Sequence, residues 1–255
     1  MSLVKKNYIT INKSRLNEVV AMYQGLYKPC DEFLDKNDQL TVINSLHFKK
    51  NFFPFPILFD ISKNQYDFLK RKKKIDLYYK RTKICSIKIK SLFYLEIKKL
   101  IKKIFGTINS NHYGVQNFLK KNKYFLSGKI FNFKKNNKIY KSYDISRLLK
   151  EIKKNKKNKI VVFHTRNIPH KGHEWILLKL LKNFNKVIIQ PITGNLKSGD
   201  FKSKVVEKVY KKFISKISIR DQKKIFFHSL KINAYYGGPR EALLHGLIRK
   251  NLNCT

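Results

Sequence analysis

The segment 160–181 constrains the fold of this chain more than any other. It opens with the apolar run Ile160–Phe163, which predicts a buried strand, and closes with Glu174–Leu181, whose apolar density predicts a packed helix. The residues between them form a strand-to-helix turn. In open α/β sheets, ligands bind at such turns, beyond the carboxyl ends of the strands. The free N–H groups and the positive dipole end of the helix favour an anion such as phosphate there.

The turn carries side chains that suit an anion. His170 and His173 are three residues apart at the helix start, so we expect them to share one face and to reach one anion. Arg166 offers a planar fork of donors that suits sulfate or phosphate oxygens. Thr165 and Asn167 lie on the same turn. The sequence therefore predicts an anion site here.

These residues match two nested patterns. His170-Lys-Gly-His173 resembles the H-x-G-H signature of nucleotidylyltransferases with a Rossmann-like core. The longer string His164-Thr-Arg-Asn167, followed by Pro169-His170 and His173-Glu174, resembles the Q-T-R-N…H-x-G-H-E block of ATP sulfurylase (sulfate adenylyltransferase). The alternative is a basic turn with two incidental histidines.

A second block resembles the same family. Tyr236–Asn251 and Cys254-Thr255 are similar to the family's Y-A-G-P-R-E-A-x-x-H-A-I-I-R-K-N…C-T. Physically this is a Gly-Gly-Pro turn before an amphipathic helix, with Glu241 in its first turn and Arg249 in its last, where their charges complement the helix dipole. A well-capped surface helix is the alternative reading. In the N-terminal half, Phe105–Val115 resembles F-G-T-x-D-x-x-H-P-G-V.

The resemblance implies an α/β chain in two domains. Residues 1–141 would form an N-terminal PUA-like β-barrel domain, and residues 142–255 a Rossmann-like nucleotidylyltransferase (H-x-G-H) domain that is incomplete at its C-terminus. After the C-T pair the family continues with a strand and an H-F-I-V-G-R-D-H-A-G segment, which helps to hold nucleotide and sulfate. The chain ends at Thr255, directly before that segment, so a truncated family member is expected.

Residue patterns place individual elements along the chain. Strands are expected at Ile75–Tyr79, Ile84–Ile89, Tyr124–Phe131, Ile160–Phe163, Val187–Pro191 and Lys224–Ser229. Helices are expected at Leu95–Ile104, Ser142–Ile152, Glu174–Leu181 and Glu207–Ile214. From Ile160 onward, strand, helix and strand alternate, which predicts a parallel sheet. Asp144 is expected as a helix N-cap, Trp175 as a core residue and Lys153–Lys159 as a basic connector.

The activity implied by the resemblance is transfer of AMP from MgATP to sulfate, which gives adenylyl sulfate and pyrophosphate. The implied catalytic residues are Thr165, Arg166, Asn167, His170 and His173. Sulfate would contact His164 and Arg166. ATP would contact the residues of the whole turn, namely His164, Thr165, Arg166, Asn167, His170, Gly172 and His173. Mg²⁺ would arrive on the ATP, so no metal site built from protein ligands is expected.

One departure from the family pattern concerns sulfate. The family's Gln, which contacts sulfate, is His164 here. A neutral imidazole can donate one hydrogen bond, and a protonated one adds charge. The geometry of sulfate binding at His164 is therefore an open question. An adenylyltransferase of the same fold with another acceptor is a further alternative, and the direction of the reaction stays open.

The formal net charge of +41 normally suggests a nucleic-acid or other anionic partner. Only 8 of the 57 basic residues are Arg, and the abundant Lys, Asn, Ile, Phe and Tyr have AT-rich codons. Drift in an AT-rich genome explains this balance, and we expect no nucleic-acid partner. The alternative function is a catalytically silent family member that binds nucleotide or RNA through its basic surface. The run Arg71–Lys74 is either a phosphate contact or a solvated turn.

The cysteines and the apolar segments indicate the compartment. Cys30, Cys85 and Cys254 have no C-x-x-C spacing, which favours a reducing interior over a disulfide framework. The start lacks an apolar signal segment, and no stretch of roughly 18 apolar residues could span a membrane. We therefore expect a cytoplasmic protein, and a homo-oligomer when full length. Whether a kinase domain follows in the full gene stays open.

Overall fold

The computed structural model describes residues 7–155, 159–194 and 196–254. By packing they divide into two compact units: Met1–Ser142 with Tyr235–Ile248, and Tyr143–Ala234 with Arg249–Thr255. The sequence predicts a domain boundary between residues 141 and 142. The packing units do not test that boundary, so it stays a prediction. The predicted connector Lys153–Lys159 falls partly on residues 156–158, which lie outside the described residues.

The first unit is built on an extended sheet with short helices around it. Its strands are β1 (Tyr8–Thr10), β2 (Glu32–Phe33), β3 (His47–Phe48), β4 (Asn51–Phe52), β5 (Phe59–Ile61), β6 (Lys74–Tyr79), β7 (Thr82–Tyr94) and β8 (Tyr124–Phe131). Its helices are α1 (Lys13–Tyr23), α2 (Lys36–Ser45), α3 (Lys63–Leu69), α4 (Ile97–Phe105), α5 (Tyr113–Leu119) and α6 (Lys138–Lys141). These helices hold more residues than the strands do.

Six of these strands form one sheet in the order β1-β6-β7-β8-β2, with β5 also pairing with β8. Only the β1–β6 pair is parallel within it. Strand β8 has the bounds that the sequence predicts, because its apolar and aromatic residues Phe125 and Leu126 are fully buried between neighbouring strands. Strand β7 is longer than predicted and is irregular between Ile89 and Ser91, where its pairing with β8 changes register.

Helix α4 illustrates how the sequence selects a helix in this unit. Ile97, Ile101 and Ile104 recur at helical spacing and are all buried, while the lysines between them face solvent. The helix begins two residues later than predicted, because the backbone N–H of Leu95 donates to the carbonyl oxygen of Lys123 at 3.0 Å instead of opening the helix. It ends at Gly106, whose φ of 73° fits the left-handed C-terminal cap.

The second unit is an α/β unit around a parallel sheet. Its elements are α7 (Ser146–Lys154), β9 (Ile160–Thr165), α8 (Lys171–Asn183), β10 (Lys186–Pro191), α9 (Ser203–Lys216), α10 (Ile219–Lys224) and β11 (Ile225–Phe227). The three strands pair in parallel in the order β11-β10-β9, as the alternation of strands and helices predicts. Helices α8 and α9 pack on the sheet through a core of Leu177, Leu181, Val187, Ile189, Val206 and Tyr210.

A last helix, α11 (Pro239–Asn251), begins in the segment that packs with the first unit. Glu241 lies in its first turn and Arg249 in its last turn, as predicted. Both residues are buried, with Glu241 at 5% and Arg249 at 9% exposure, whereas Leu243 and Lys250 on the same helix are exposed. Burial of both charges requires specific partners.

The prediction that Trp175 belongs to the core is wrong, because its side chain is 62% exposed. Helix α8 buries the face that carries Leu177 and Leu181, which are one turn apart. Trp175 precedes Leu177 by two residues, so it points to the opposite side of a helix with 3.6 residues per turn. Lys179, one turn further on, covers its ring with an ammonium 4.8 Å from the ring centroid.

Two element boundaries also differ from prediction. Helix α7 begins at Ser146 and not at Ser142, because Tyr143 and Ile145 are buried in non-helical backbone before it. The prediction of Asp144 as the N-cap is wrong, because Ile145 occupies that position and makes no side-chain cap hydrogen bond. The carboxylate of Asp144 accepts hydrogen bonds from the backbone N–H and the hydroxyl of Ser146, at 2.9 and 2.8 Å, one residue before the cap. Strand β11 is shorter than predicted because Lys224 ends α10. No helix in the described ranges is long and apolar enough to cross a membrane.

Candidate active site

The predicted anion site lies at the carboxyl edge of the parallel sheet in the second unit. Strand β9 ends at Thr165 and α8 begins at Lys171. Within the sheet, His164 is in register with Gln190, and Thr165 with Pro191, at the carboxyl end of β10. The turn therefore occupies the position at which open α/β sheets bind ligands.

The backbone around Arg166 is fixed by its neighbours. The hydroxyl of Thr165 accepts a hydrogen bond from the backbone N–H of Asn167 at 3.1 Å, which closes a tight side-chain turn. Thr165 is only 7% exposed, and its carbonyl oxygen accepts from the N–H of Ile192 at 2.9 Å. Arg166 is half-buried between a buried Thr165 and an exposed Asn167. The side chain of Arg166 therefore extends from a backbone that these hydrogen bonds fix at the edge of the sheet.

The structure brings the two histidines of the turn together. The ring centroids of His170 and His173 are 3.9 Å apart, with 35° between the ring planes. His170 is the N-cap of α8, and its Nδ1 accepts a hydrogen bond from the backbone N–H of Gly172 at 3.1 Å. Because Nδ1 accepts, the neutral ring carries its proton on Nε2 and can donate from there. The cap also occupies one of the N–H groups that the sequence assigned to a phosphate.

His173 is held in its neutral form by its surroundings. Burial lowers its pKa, the neighbouring His170 lowers it further, and a backbone contact with Ile168 opposes both. Its ring meets Phe163 edge-on, with centroids 5.5 Å apart. A neutral imidazole donates one hydrogen bond, which suits contact with a phosphate oxygen and adds no fixed charge.

Gly172 has a steric reason for its place between the histidines. A Cβ at this position would lie 3.1 Å from Cε1 and 3.2 Å from Nδ1 of His170. Any other residue would require the capping ring to shift by a few tenths of an ångström. The glycine of the H-x-G-H pattern therefore protects the cap and the position of the His170 ring.

The sequence did not indicate how His164 is held. Nη2 of Arg249 lies 2.7 Å from Nδ1 of His164. An arginine can only donate, so Nδ1 accepts and the proton of His164 lies on Nε2. Burial lowers the pKa of Arg249 to about 10, although nearby Cys254 opposes this, so the guanidinium stays charged at neutral pH. The sequence analysis interprets the charge of Arg249 as complementing the helix dipole. In the structure Arg249 also donates a hydrogen bond to His164, the candidate sulfate contact.

Two further residues near the turn were missed. Gln190 is fully buried beside His164, and within the described ranges neither its side-chain nitrogen nor its oxygen has a hydrogen-bond partner. Tyr210 of α9 is also fully buried; burial raises its pKa, and its interaction with the Thr165 side chain opposes this shift. The only sequence signal for Gln190 is its place at the end of a strand, directly before Pro191. For Tyr210 the sequence offers only its place in the helical repeat of apolar residues, which does not indicate a position near the turn.

Other predicted features have local structural roles. His112 caps α5 by accepting from the N–H of Val115 at 3.3 Å. The loop after β10 begins with Thr193, whose backbone N–H donates to the carbonyl oxygen of Leu230 at 3.0 Å. Asn195 of that loop lies outside the described residues. In the part of the chain that the structure describes, no group of three or more His, Cys, Asp or Glu side chains could hold a metal ion.

Residues Tyr236–Glu241 of the second motif block make structural contacts within the first unit. The carboxylate of Glu241 accepts from the backbone N–H groups of Tyr235 and Gly237, at 2.7 and 3.1 Å. Arg240 donates to backbone carbonyl oxygens, the shortest contact being 2.7 Å to Ile43. A Cβ on Gly237 would lie 2.5 Å from Cε2 of Phe55. These residues fix a turn and its packing.

Comparison with known proteins identifies both parts of the chain. A PUA-like domain model matches residues 3–135, and an ATP-sulfurylase model matches residues 142–255. Among curated proteins, the sulfate adenylyltransferase of Ignicoccus hospitalis is 26% identical over 252 residues, which cover 97% of this chain and 65% of that protein. That of Pyrococcus abyssi is 26% identical and that of Persephonella marina 28% identical, with the same two coverages.

This chain thus spans 65% of the length of these relatives. A solved hexameric APS kinase from Thiobacillus denitrificans superposes with a TM-score of 0.66 at 12% identity, over 97% of this chain and 46% of the other, which supports the fold. The two family models follow each other in the order that the sequence motifs predict, and the curated relatives run through both. A PUA-like domain over residues 3–135 is therefore followed by an ATP-sulfurylase domain over residues 142–255.

Proposed function

We propose that the turn between β9 and α8 is the catalytic centre of a sulfate adenylyltransferase. In this reaction a sulfate oxygen attacks the α-phosphorus of MgATP, the bond from that phosphorus to the β-phosphate oxygen breaks, and adenylyl sulfate and pyrophosphate form. The observation that carries the proposal is the turn itself. It combines the hydrogen-bonded turn from Thr165 to Asn167, the guanidinium of Arg166 and the adjacent, tilted rings of His170 and His173 at one sheet edge.

This chemistry needs positioning and charge stabilisation more than proton transfer. Sulfate is already ionised, so the attack requires no general base. Catalysis must bring two anions together and stabilise the charge that develops on the phosphates. We assign Arg166 to sulfate, since its fork matches two oxygens and offsets the repulsion between the anions. Thr165 and Asn167 orient the sulfate and the α-phosphate.

The two histidines act on the phosphates. The N-cap contact at 3.1 Å leaves His170 with its proton on Nε2, and the lowered pKa of His173 keeps that ring neutral. Both rings then donate to phosphate oxygens as charge develops, together with the backbone beside Gly172. Mg²⁺ enters as part of the substrate, bound to phosphate oxygens and water. We expect no protein carboxylate to be needed for it.

His164 takes the place of the amide that the family uses for sulfate. The contact with Arg249 at 2.7 Å orients its ring so that the opposite nitrogen carries the proton. One donor therefore replaces one amide N–H. The buried positive charge of Arg249 adds a favourable field for sulfate at short range.

The test is sulfate-dependent release of pyrophosphate from MgATP, with molybdate as a second acceptor and the sulfate adenylyltransferase of Pyrococcus abyssi as the positive control. We expect release only when sulfate or molybdate is present. Turnover that needs another acceptor would assign the same turn to a different adenylyltransferase. Binding of MgATP without any turnover would support the alternative of a catalytically silent nucleotide-binding member. Assembly into a homo-oligomer is part of this proposal and is measured by light scattering.

A further inference from the structure

The first unit contains a cleft of about 470 Å³ on its sheet, which we call the basic cleft. Its floor is a row of side chains from three neighbouring strands. Asp76 on β6 pairs with Ser86 on β7, and Ser86 pairs with Phe131 on β8. Residues that pair directly across strands point to the same face of a sheet. The turn before β6 forms one rim of the cleft.

Cationic side chains dominate the lining. The lining contains one carboxylate, that of Asp76, and five cationic side chains: Arg71, Lys72, Lys73, Lys74 and Lys83. The carboxylate is already engaged, because it accepts from Nζ of Lys83 at 2.5 Å and from the hydroxyl of Ser86 at 2.6 Å. Partial burial works to raise the pKa of Asp76, but the hydrogen bonds from Lys83 and Ser86 outweigh it and the pKa lies below its usual value. Lys83 and Asp76 therefore cancel, and the cleft keeps a strong positive excess.

Three of these cations are not committed to protein partners. Among the residues that the structure describes, the side chains of Arg71, Lys73 and Lys74 make no hydrogen bond or ion pair, and all three are exposed. Lys72 donates only to the side chain of Asn7, at 3.2 Å. Cations in a convex solvated turn would point apart, whereas these line one concave volume. Such convergence of a guanidinium and ammonium groups suits several phosphate oxygens at once.

We propose that the basic cleft binds a small anion that carries two or more phosphate groups. The volume lies within the range of about 300–1,000 Å³ that is typical of small-molecule sites. The positive excess exceeds what a single phosphate would neutralise. Phe131 in the floor adds an aromatic surface on which a nucleoside could lie next to its phosphates. The ligand is thus a nucleoside di- or triphosphate or an inorganic oligophosphate. Both present the several linked phosphate groups that the cations of the cleft would bind.

A matched pair of variants tests the site by calorimetry in 0.15 M salt. The cleft variant is Arg71→Gln/Lys73→Gln/Lys74→Gln. The control variant is Lys98→Gln/Lys102→Gln/Lys120→Gln, which removes the same charge from exposed positions of the same unit that do not line the cleft. The probes are inorganic tripolyphosphate and metal-free ADP. We expect the cleft variant to weaken tripolyphosphate binding at one site by at least about 30-fold, and the control by no more than about 2-fold.

A His170→Ala/His173→Ala variant separates this site from the proposed active site, since it should keep the cleft site whether or not the turn is catalytic. Tighter binding of ADP than of tripolyphosphate would identify the ligand as a nucleotide, and tighter binding of tripolyphosphate would identify it as an inorganic oligophosphate.

The proposal is wrong if wild-type protein binds neither probe outside the turn. It is also wrong if both charge variants lose binding equally, since the general positive field of the protein would then explain the binding. It is also wrong if a single-stranded oligonucleotide binds the cleft far more tightly than either probe. Single Arg71→Gln and Lys74→Gln variants replace the triple variant if circular dichroism shows that it does not fold.

Discussion

Nη2 of Arg249 lies 2.7 Å from Nδ1 of His164, so a buried guanidinium from the end of α11 holds the imidazole that stands where the family has glutamine. The contact fixes which imidazole nitrogen can donate. It also explains why Arg249 is buried, since a cation at the end of a surface helix would need no such partner.

The first prediction concerns the tautomer of His164. In the wild-type protein, ¹⁵N NMR should show Nδ1 without a proton and Nε2 with one, because arginine can only donate to Nδ1. In Arg249→Leu the population of the Nδ1-protonated tautomer should rise, since the guanidinium that donates to Nδ1 is lost. Lys250→Leu, a change at the exposed neighbouring position, should leave the wild-type pattern. A proton on Nδ1 in the wild-type protein would contradict the contact.

The second prediction concerns the exchange of imidazole for amide. His164→Gln should keep kcat/KM for sulfate within about 3-fold, because the amide oxygen can accept from Arg249 while its NH₂ donates to sulfate. His164→Leu removes the donor to sulfate, so kcat/KM for sulfate should fall about 10- to 100-fold, the loss expected for a hydrogen bond to a charged group. Equal rates for the Gln and Leu variants would exclude His164 from sulfate binding.

The third prediction separates two roles of His170. His170→Ala should lower kcat by about 100-fold or more with a smaller change in the KM for ATP, if its contact strengthens in the transition state. It should also cost about 1 kcal/mol of stability, because the N-cap of α8 is lost. His170→Asn supplies a good N-cap without an imidazole, so it should recover the stability and not the rate. Recovery of both by Asn would mean that His170 serves only as a cap.

The fourth prediction compares two glycines of the last motif block. Gly237→Ala should destabilise the protein by about 1–3 kcal/mol, because the new Cβ would lie 2.5 Å from Cε2 of Phe55 in a packed turn. Gly246→Ala should stabilise it by about 0.5–1 kcal/mol, since Gly246 lies inside α11 and a Cβ there meets nothing within 4 Å. Urea denaturation measures both. The same sign for the two variants would contradict the packing of Phe55.

Local patterns predicted the elements of the candidate site, and long-range contacts supplied what the patterns missed. The apolar run before His164 and the histidines at the helix start place the turn correctly, because strand and helix periods are properties of neighbouring residues. The pairing of His164 with Arg249 joins residues 85 positions apart, so no local pattern contains it. Trp175 was misplaced for a related reason. An aromatic residue in an apolar helix suggests burial, but only the packing of α8 through Leu177 decides which face is covered.

The last prediction concerns pH and the histidines that burial keeps neutral. Burial lowers the pKa of His173 and of His228 below the usual value of 6.5, so the unfolded chain binds more protons than the folded one in the window between the folded-state pKa and 6.5. The stabilisation is therefore fully present above about pH 6.5 and is lost as the pH falls through the folded-state values. Urea denaturation at pH steps from 5 to 8 should show the free energy of unfolding rising with pH in this window. His228→Asn should flatten that rise, whereas His47→Asn, at an exposed position, should not. A free energy that rises as the pH falls towards 5 would mean that these rings gain protons on folding, contrary to their burial.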